Sequence, residues 1–213
     1  MSREAEKRGL VAVKGVNDKD SLLELARSLG RPIAGADGHL IKELRVKHRA
    51  AALPCTLSAA FGTASFPLHT DTAFWKVPAR FLVMRAIGDV RRPTMVYPFS
   101  ELFVLTSERL FEACRRAVWT LKSSTGPVYC GMTFRASDES RGFRYDRQCM
   151  APANSAAREV DEYMHFEAVG AAVRQVSWSD GTAVVIANWQ ALHGRGPEPP
   201  QEAERILQRI YVR

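Results

Sequence analysis

The sequence lacks the features that mark several large classes of protein. Its four cysteines are widely spaced and form no CxxC pair, which excludes a zinc ribbon and a dithiol redox motif. No apolar run approaches the roughly 18 residues that a membrane-spanning helix needs, so we expect no membrane crossing. No apolar segment of signal-peptide length follows the charged N-terminus, and we therefore expect a cytoplasmic protein.

Composition and charge indicate an ordinary globular domain. The chain has 213 residues, of which 46% are hydrophobic and 25% are charged, and we predict a single domain over residues 1–213. The net charge of +7 would suit an anionic partner. However, the basic residues are spread along the chain, and their densest cluster, residues 42–49, is interrupted by apolar and acidic side chains. This pattern favours a small-molecule partner over nucleic acid, and it leaves the oligomeric state open.

Hydrophobic periodicity predicts a mainly β protein with a few helices. An early strand over residues 10–16 precedes a helix that Asn17 or Asp18 caps and that Gly30 ends. Short β-like runs broken by Gly and Pro follow through residue 94. The remaining predicted segments are a helix over 106–121, a polar loop or lid over 122–150, a helix over about 156–174 capped by Asn154, and strands over 182–188 and 205–212.

Three residues have the types and spacing of a metal site. His69 and Asp71 lie two positions apart, so an extended backbone directs both side chains to the same face. His193 follows an apolar predicted strand. Two imidazoles and one carboxylate form the facial triad that leaves positions open on octahedral Fe(II). Because an HxD pair is common in proteins, a hydrogen-bonded surface pair is the alternative interpretation.

The last predicted strand brings two arginines to one face. Strand alternation places Arg205, Leu207, Arg209 and Tyr211 on the same side. A guanidinium group suits a carboxylate ligand because its planar fork donates two parallel hydrogen bonds and stays charged. The alternative is a terminal strand with a solvent-exposed basic face.

Together these motifs resemble the taurine dioxygenase and clavaminate synthase group of Fe(II)/2-oxoglutarate-dependent oxygenases. The resemblance rests on His69-Thr70-Asp71 followed by an aromatic residue and Pro78, on the segment from Asn188 to Arg195, and on two arginines four residues apart at 205 and 209. Ala187 departs from the group, which often has an acidic residue before this asparagine. The resemblance implies a cupin-like double-stranded β-helix, or jelly roll, with helices flanking the sheets.

The resemblance also implies a reaction and roles for individual residues. Fe(II) would be held by His69, Asp71 and His193, and 2-oxoglutarate and O2 would be consumed with release of succinate and CO2. The distal carboxylate of 2-oxoglutarate would contact Arg209 and the hydroxyl of Thr94, and Arg205 would steady its inner end. Hydroxylation of a small polar or anionic metabolite is the expected outcome.

Several alternatives remain at this stage. The same oxidising intermediate could desaturate, epoxidise or cyclise the substrate, whereas halogenation is disfavoured because Asp71 occupies the position where related halogenases have a small residue. Arg144 and Asp146, inside the predicted lid, could clamp a zwitterionic substrate or form a local surface ion pair. A basic jelly roll that binds or modifies nucleic acid, and a non-catalytic β-sandwich interaction module, are the hypotheses from other functional classes.

Overall fold

The computed structural model describes residues 1–52, 56–88, 90–101, 108–121, 126–166, 173–197 and 206–213. In these ranges the helices are α1 Ser2–Arg8, α2 Lys19–Leu29, α3 Leu57–Phe61, α4 Glu108–Arg116 and α5 Ser155–Phe166, with a 3-10 turn at Arg49–Ala51. The strands are β1 Leu10–Lys14, β2 Pro32–Ile33, β3 Lys42–Arg45, β4 Phe81–Ile87, β5 Thr94–Pro98, β6 Val118–Leu121, β7 Val128–Gly131, β8 Thr133–Arg135, β9 Arg141–Phe143, β10 Met150–Pro152, β11 Arg174–Val176, β12 Thr182–Ala187, β13 Ala191–Arg195 and β14 Ile206–Val212. The protein is mainly β with flanking helices, as predicted.

The largest sheet is antiparallel and joins the two ends of the described chain. Its strand order is β1-β12-β4-β14-β2, and β3 pairs with the other part of the β14 edge. Strand β14 pairs with β4 from Ile206 to Val212. This long pairing fixes the face of each β14 side chain, since a shift of one residue would turn every side chain to the opposite face.

Both faces of this sheet are buried, each against a different layer. One face packs on helices α1 and α2, and the α2 N-terminus is capped by Asp18, whose Oδ1 accepts a 2.8 Å hydrogen bond from the Ser21 amide. The other face packs on the three-stranded sheet β11-β5-β13. The side chains that form this second interface include Leu82, Met84, Val96, Val184, Ile186 and Ala191. The space between the two sheets continues into the candidate site.

A third layer covers the far side of the small sheet. Strands β10-β6-β7 form a separate antiparallel sheet, which packs with helices α4 and α5 around the fully buried Trp119. In the same cluster, Tyr145 lies edge-on to Trp119, with 5.5 Å between ring centroids. Because Tyr145 lies just beyond the end of β9 at Phe143, this contact connects the β8-β9 hairpin to the third layer.

Some predicted boundaries in the middle of the chain are wrong. The helix predicted over 106–121 ends at Arg116 in the described residues, and Val118–Leu121 is strand β6. Val118 is 37% exposed, whereas Trp119 and Leu121 are buried. The apolar spacing that suggested one long helix therefore belongs to a helix followed by a strand. The segment predicted as a polar loop or lid contains β7, β8 and β9.

The third predicted helix is correct at its start and too long at its end. Asn154 caps it, because its Oδ1 accepts a 2.9 Å hydrogen bond from the Ala157 amide. The described part of helix α5 ends at Phe166, and residue 174, where the predicted helix ended, begins strand β11. No helix among the described residues is long and apolar enough to cross a membrane. Cys114, Cys130 and Cys149 form no disulfide bond among the described residues, and Cys55 lies outside them.

Candidate metal centre

Backbone pairing brings the two predicted histidine ligands together. His69 lies in the irregular segment between α3 and β4, and His193 lies in the middle of β13. The two residues form an isolated antiparallel bridge in which each amide donates a 2.9 Å hydrogen bond to the carbonyl oxygen of the other. Their rings lie on the same side of this bridge, with centroids 4.5 Å apart.

Asp71 completes a compact group of three donor side chains. One donor atom from each of His69, Asp71 and His193 lies within 4.8 Å of the other two. The Nε2 atoms of both histidines are 3.6 Å from the Asp71 carboxylate, one from each of its oxygens. Both histidines are buried, and the Asp71 side chain is 13% exposed. The structure therefore brings the three predicted ligands to one point.

The hydrogen bonds of the two imidazoles differ. The Nδ1 atom of His69 lies 2.9 Å from the carbonyl oxygen of Pro67, which can only accept a hydrogen bond. This contact assigns the proton of neutral His69 to Nδ1 and leaves the Nε2 lone pair for a metal. The Nδ1 atom of His193 is buried, and no partner for it lies among the described residues. His193 is therefore oriented by its strand and by Asp71.

Burial and the neighbouring charges shift the pKa values of all three groups. Burial lowers the pKa of His69, but the hydrogen bond and charge of Asp71 outweigh it and raise this pKa above its ordinary value. Burial and the proximity of His69 lower the pKa of His193. Burial alone would raise the pKa of Asp71, yet the Arg209 guanidinium and the two histidines hold it well below its ordinary value. Asp71 is thus an anion at neutral pH.

Arg209 reaches this centre from strand β14. Its Nη1 atom donates a 2.7 Å hydrogen bond to Asp71 Oδ2, and both side chains are 13% exposed. Its guanidinium also lies over the ring of Tyr211, 4.2 Å from the centroid. The Nε atom is buried without a partner among the described residues. Arg209 and Tyr211 lie on the face predicted from strand alternation, and Arg205 lies outside the described residues.

The backbone of Asp71 is held by Asn188, a residue for which the sequence alone predicts no separate role. The side chain of Asn188 is fully buried, accepts a 3.0 Å hydrogen bond from the Asp71 amide, and donates one of 3.0 Å to the Asp71 carbonyl oxygen. Its amide nitrogen also donates to the carbonyl oxygen of Ala79, at 2.8 Å. The sequence signal for this role is an asparagine directly after an apolar strand, because a buried side-chain amide requires hydrogen-bond partners.

The donor set fits a divalent transition metal. Two imidazole nitrogens and a carboxylate, with open space on the remaining side, are the ligand types of mononuclear non-haem Fe(II) sites. The Nδ1 contact of His69 to a backbone carbonyl supports this fit, because ligand histidines commonly donate their other N–H in this way. Among the described residues, this is the group of three or more His, Cys, Asp or Glu side chains that could hold a metal ion.

A cavity of about 520 Å³ opens beside the three donors. Its walls include Thr94 from β5, Tyr211 from β14, and Asp146 and Gln148 from the turn after β9. Phe74 and Trp75, which follow Asp71 in the chain, line it as well. Of the residues predicted for 2-oxoglutarate or substrate, Thr94, Asp146 and Arg209 therefore face the same space as the metal donors.

Arg144 does not line this cavity. Its side chain is buried, and its Nη atoms donate to the carbonyl oxygens of Ala73, Trp75 and Lys76. The structure therefore separates Arg144 from Asp146, with which it was predicted to clamp a substrate. Trp189 is also outside the cavity wall, where its indole N–H donates to the carbonyl oxygen of Pro78.

Three solved structures that share this fold are oxygenases. No protein-family model matches the sequence, and no curated protein matches it. Over 99% of this chain and 76% of the other, the fold matches an asparagine oxygenase complex with Fe(II), 2S,3S-3-hydroxyasparagine and succinate, at 17% identity and a TM-score of 0.74. PvcB from Pseudomonas aeruginosa, described as an Fe, alpha-ketoglutarate-dependent oxygenase, matches at 18% identity over 100% and 80% of the two chains, with a TM-score of 0.70.

A third structure adds a different ligand. The non-haem iron oxygenase OrfP, in complex with Fe, succinate and (3S)-hydroxy-L-Arg, matches at 19% identity over 99% of this chain and 77% of the other, with a TM-score of 0.71. At these identities the comparisons establish a shared fold, and the chemistry of this chain has to be argued from its own side chains.

Proposed function

We propose that the protein is an Fe(II)- and 2-oxoglutarate-dependent dioxygenase that hydroxylates a small amino acid or a related metabolite. The observation that carries the proposal is the convergence of His69, Asp71 and His193 on one point at the edge of a cavity. The fold shared with three iron oxygenases supports the same conclusion. As finer features, we propose one domain over residues 1–213 and a double-stranded β-helix, for which the facing antiparallel sheets are the support.

The three donors would hold Fe(II) on one face, with the Nε2 atoms of His69 and His193 and one oxygen of Asp71 as ligands. Bound Fe(II) would supply the oxidation of a substrate C–H bond by O2, coupled to decarboxylation of 2-oxoglutarate to succinate and CO2. The Asp71 carboxylate stays ionised because Arg209 lowers its pKa. The hydrogen bond to Pro67 keeps the His69 ring oriented, and Asn188 holds the Asp71 backbone.

Arg209 and Thr94 are the proposed partners of the distal carboxylate of 2-oxoglutarate. Only Nη1 of Arg209 is used on Asp71, and Nε is buried without a partner among the described residues. The guanidinium therefore has donors left for a second carboxylate. Thr94 lies in the wall of the same cavity and is buried. Arg205, outside the described residues, remains the proposed partner of the inner end of 2-oxoglutarate.

An amino acid is the proposed substrate because the cavity combines anionic and cationic groups with an apolar wall. The Asp146 carboxylate borders the cavity, and it accepts a 2.9 Å hydrogen bond from the Gln148 amide. Its remaining acceptor positions would suit an ammonium group. Phe74 and Trp75 provide an aromatic wall. The hydroxylated amino acids bound in two structures of the same fold support this substrate class.

Anaerobic titration of the purified protein with Fe(II) and then 2-oxoglutarate tests the proposal. We expect a weak visible charge-transfer band that appears only when both are present, and succinate on admission of O2. His69→Ala provides the control, because it removes one of three ligands from the same cavity. Absence of the band in the wild type, or an equal band in His69→Ala, would contradict the proposal. Succinate yield with each proteinogenic amino acid then ranks the substrates.

A further inference from the structure

The turn that follows Asp71 connects the metal centre to the cavity wall. We call residues 71–76 the Asp71 turn. Asp71 at its start supplies the carboxylate donor, and Phe74 and Trp75 within it line the cavity. The Trp75 amide donates a 2.9 Å hydrogen bond to the Thr72 carbonyl oxygen, which closes the turn. A movement of this turn would therefore displace a metal ligand and a substrate wall together.

The Asp71 turn contains an unfavourable backbone conformation. Thr72 has a φ of 58°, in the left-handed region that a β-branched residue rarely adopts. Such a conformation is energetically costly and persists only where contacts with the surrounding structure hold it. One such contact is a 2.8 Å hydrogen bond that the Thr72 hydroxyl oxygen accepts from the Ala79 amide. The turn therefore needs external contacts to keep its shape.

Arg144 makes the most extensive of these contacts. Its Nη1 atom donates to the carbonyl oxygens of Ala73 at 3.0 Å and Trp75 at 2.7 Å, and its Nη2 atom donates to that of Lys76 at 2.9 Å. The side chain is buried, and no carboxylate among the described residues forms an ion pair with it. Its guanidinium lies over the ring of Phe134, 4.6 Å from the centroid. All the hydrogen bonds that the Arg144 side chain makes with the described residues are therefore made with this one turn.

The backbone of Tyr145, next to Arg144, is hydrogen-bonded to Thr70, which directly precedes the Asp71 turn. The Thr70 amide donates a 2.7 Å hydrogen bond to the carbonyl oxygen of Tyr145, and the Tyr145 amide donates one of 3.1 Å to the Thr70 hydroxyl. Thr70 lies between the two ligands His69 and Asp71. The Arg144 amide donates to the carbonyl oxygen of Met132 at 2.8 Å, which anchors the segment to the rest of the fold.

We propose that Arg144 is a positioning residue that holds the Asp71 turn, and thereby sets both the orientation of the Asp71 carboxylate and the position of the aromatic cavity wall. The predicted effect on metal binding rests on the proposed function, whereas the predicted effect on the conformation of the turn does not. A buried cation without a carboxylate partner is costly in a protein interior. Three converging carbonyl dipoles offset that cost only while the turn keeps its observed conformation. Arg144 therefore stabilises this conformation against others.

The test compares Arg144→Lys and Arg144→Met with the control Arg135→Met. Arg135 lies on the neighbouring strand β8, where its exposed side chain pairs with Glu139 at 2.6 Å. Hydrogen exchange of the metal-free proteins measures the turn, and anaerobic titration with Co(II) measures the metal site. For Arg144→Met we expect faster exchange at the Trp75 and Ala79 amides and a Co(II) affinity lower by about 10- to 100-fold. Arg144→Lys should lie between Met and wild type, and Arg135→Met should match wild type.

The outcomes separate positioning from general stabilisation. If folded Arg144→Met has a lower melting temperature but wild-type exchange at Trp75 and Ala79 and wild-type Co(II) affinity, Arg144 only stabilises the fold and the inference is overturned. If Arg144→Met does not fold, amide exchange and Co(II) affinity are compared between Arg144→Lys and wild type, and wild-type values for both would overturn the inference. If wild-type protein binds Co(II) no better than His69→Ala, the proposed metal site fails, and the exchange of the turn amides alone then supports or overturns the inference.

Discussion

Asp71 lies on an irregular turn, whereas His193 lies within the regular strand β13. The turn is held mainly by the side chains of Asn188 and Arg144, which hydrogen-bond to its backbone, and by its own Thr72 hydroxyl, which accepts from the Ala79 amide. Strand β13 is held by backbone pairing with β5, in which His193 is opposite Val96. Single side-chain substitutions should therefore loosen the turn, and changes in backbone packing should disturb the strand.

The same difference appears in the electrostatics. We call His69 and Asp71 the turn side of the candidate site and His193 the strand side. Asp71 is paired with the largely buried cation Arg209, and this pairing is part of what keeps the pKa of Asp71 low. On the strand side, His193 has a lowered pKa and no partner for Nδ1 among the described residues. The turn side thus depends on the pairing of two largely buried charges, those of Asp71 and Arg209. The strand side carries a neutral imidazole that the backbone pairing of β13 holds in position.

The largest expected effect comes from removing the ligands themselves. His69→Ala, Asp71→Ala and His193→Ala should each abolish 2-oxoglutarate turnover, because each removes one of three protein ligands. Asp71→Ala should also lower the free energy of unfolding of the metal-free protein by about 3–5 kcal/mol, since it leaves Arg209 buried without its anion. His193→Ala should lower it by less. Succinate assays and urea unfolding provide the two measurements.

Full succinate production by any of the three variants would contradict the triad. Equal unfolding free energies for Asp71→Ala and His193→Ala would remove the electrostatic difference between the turn side and the strand side. A double variant, Asp71→Ala with Arg209→Met, is the control. It should recover part of the stability lost in Asp71→Ala, because an apolar side chain then replaces the unpaired charge.

The next effect concerns Arg209 on strand β14 and Arg205, which lies four residues before it in the chain. Arg209→Ala should lower the affinity for 2-oxoglutarate by roughly 30-fold or more, because loss of a charge-assisted contact in a closed pocket costs about 2–5 kcal/mol. Arg209→Lys should recover part of the loss through charge alone. Titration of 2-oxoglutarate into the anaerobic Fe(II) protein measures both. If only Arg205→Ala weakens binding, the distal carboxylate belongs to Arg205, and Arg209 serves Asp71 instead.

A third prediction tests whether the turn and the strand act independently. Asn188→Ala leaves three backbone groups of Asp71 and Ala79 without their partner, and it should lower the free energy of unfolding by about 1–3 kcal/mol. Gly194→Ala should have a similar effect for another reason, because the new Cβ atom would lie 2.6 Å from the Phe66 carbonyl oxygen. Urea unfolding of the two variants and the double variant forms a cycle.

The cycle has two informative outcomes. If the two sides are independent, the changes in unfolding free energy should add to within about 0.5 kcal/mol. A larger coupling would mean that the turn and the strand form one structural unit. Hydrogen exchange locates the effects, with Asn188→Ala expected to act on the Asp71 turn and Gly194→Ala on the bridge between His69 and His193.

Part of the candidate metal site can be predicted from local signals in the sequence. A spacing of two residues directs His69 and Asp71 to one side, and alternation along β14 puts Arg209 and Tyr211 on the face that borders the cavity. The roles of Asn188 and Arg144 are not predictable in this way. Asn188 acts on a residue 117 positions away, and Arg144 on carbonyl groups about 70 positions away. Such pairings arise from tertiary structure.

The errors in the fold have a similar origin. The segment from residue 106 to 121 has apolar residues that satisfy a helical period, yet its last part pairs with β7 and β10. Sheet pairing with β7 and β10 overrides the local periodicity there. The polar composition of residues 122–150 indicated a loop, but the hairpin β8-β9 forms within it and leads to Arg144 and Tyr145. The polar composition of this region reflects the exposure of many of its described side chains, and it does not predict the strands that the backbone forms.

The smallest expected effect is on pH dependence, and it separates the two histidines. A metal requires both imidazoles to be neutral. In the metal-free protein the pKa of His69 lies above the ordinary 6.5 and that of His193 below it. As the pH falls from above, His69 should therefore gain a proton first. Co(II) affinity should fall about tenfold per pH unit below the raised pKa of His69, with about one proton released per ion bound.

The effect on stability has opposite signs for the two residues. The raised pKa of His69 contributes stability to the metal-free protein that is fully present below pH 6.5 and is lost as the pH rises through the folded-state pKa. The lowered pKa of His193 reduces the free energy of unfolding as the pH falls below 6.5, because His193 binds a proton more readily in the unfolded chain than in the folded protein. NMR titration of the two imidazoles, together with Co(II) titrations in buffers of different ionisation enthalpy, measures both. If His193 gains its proton before His69, the turn side lacks the electrostatic advantage that Asp71 is inferred to give it, because the Asp71 carboxylate would then favour the strand histidine.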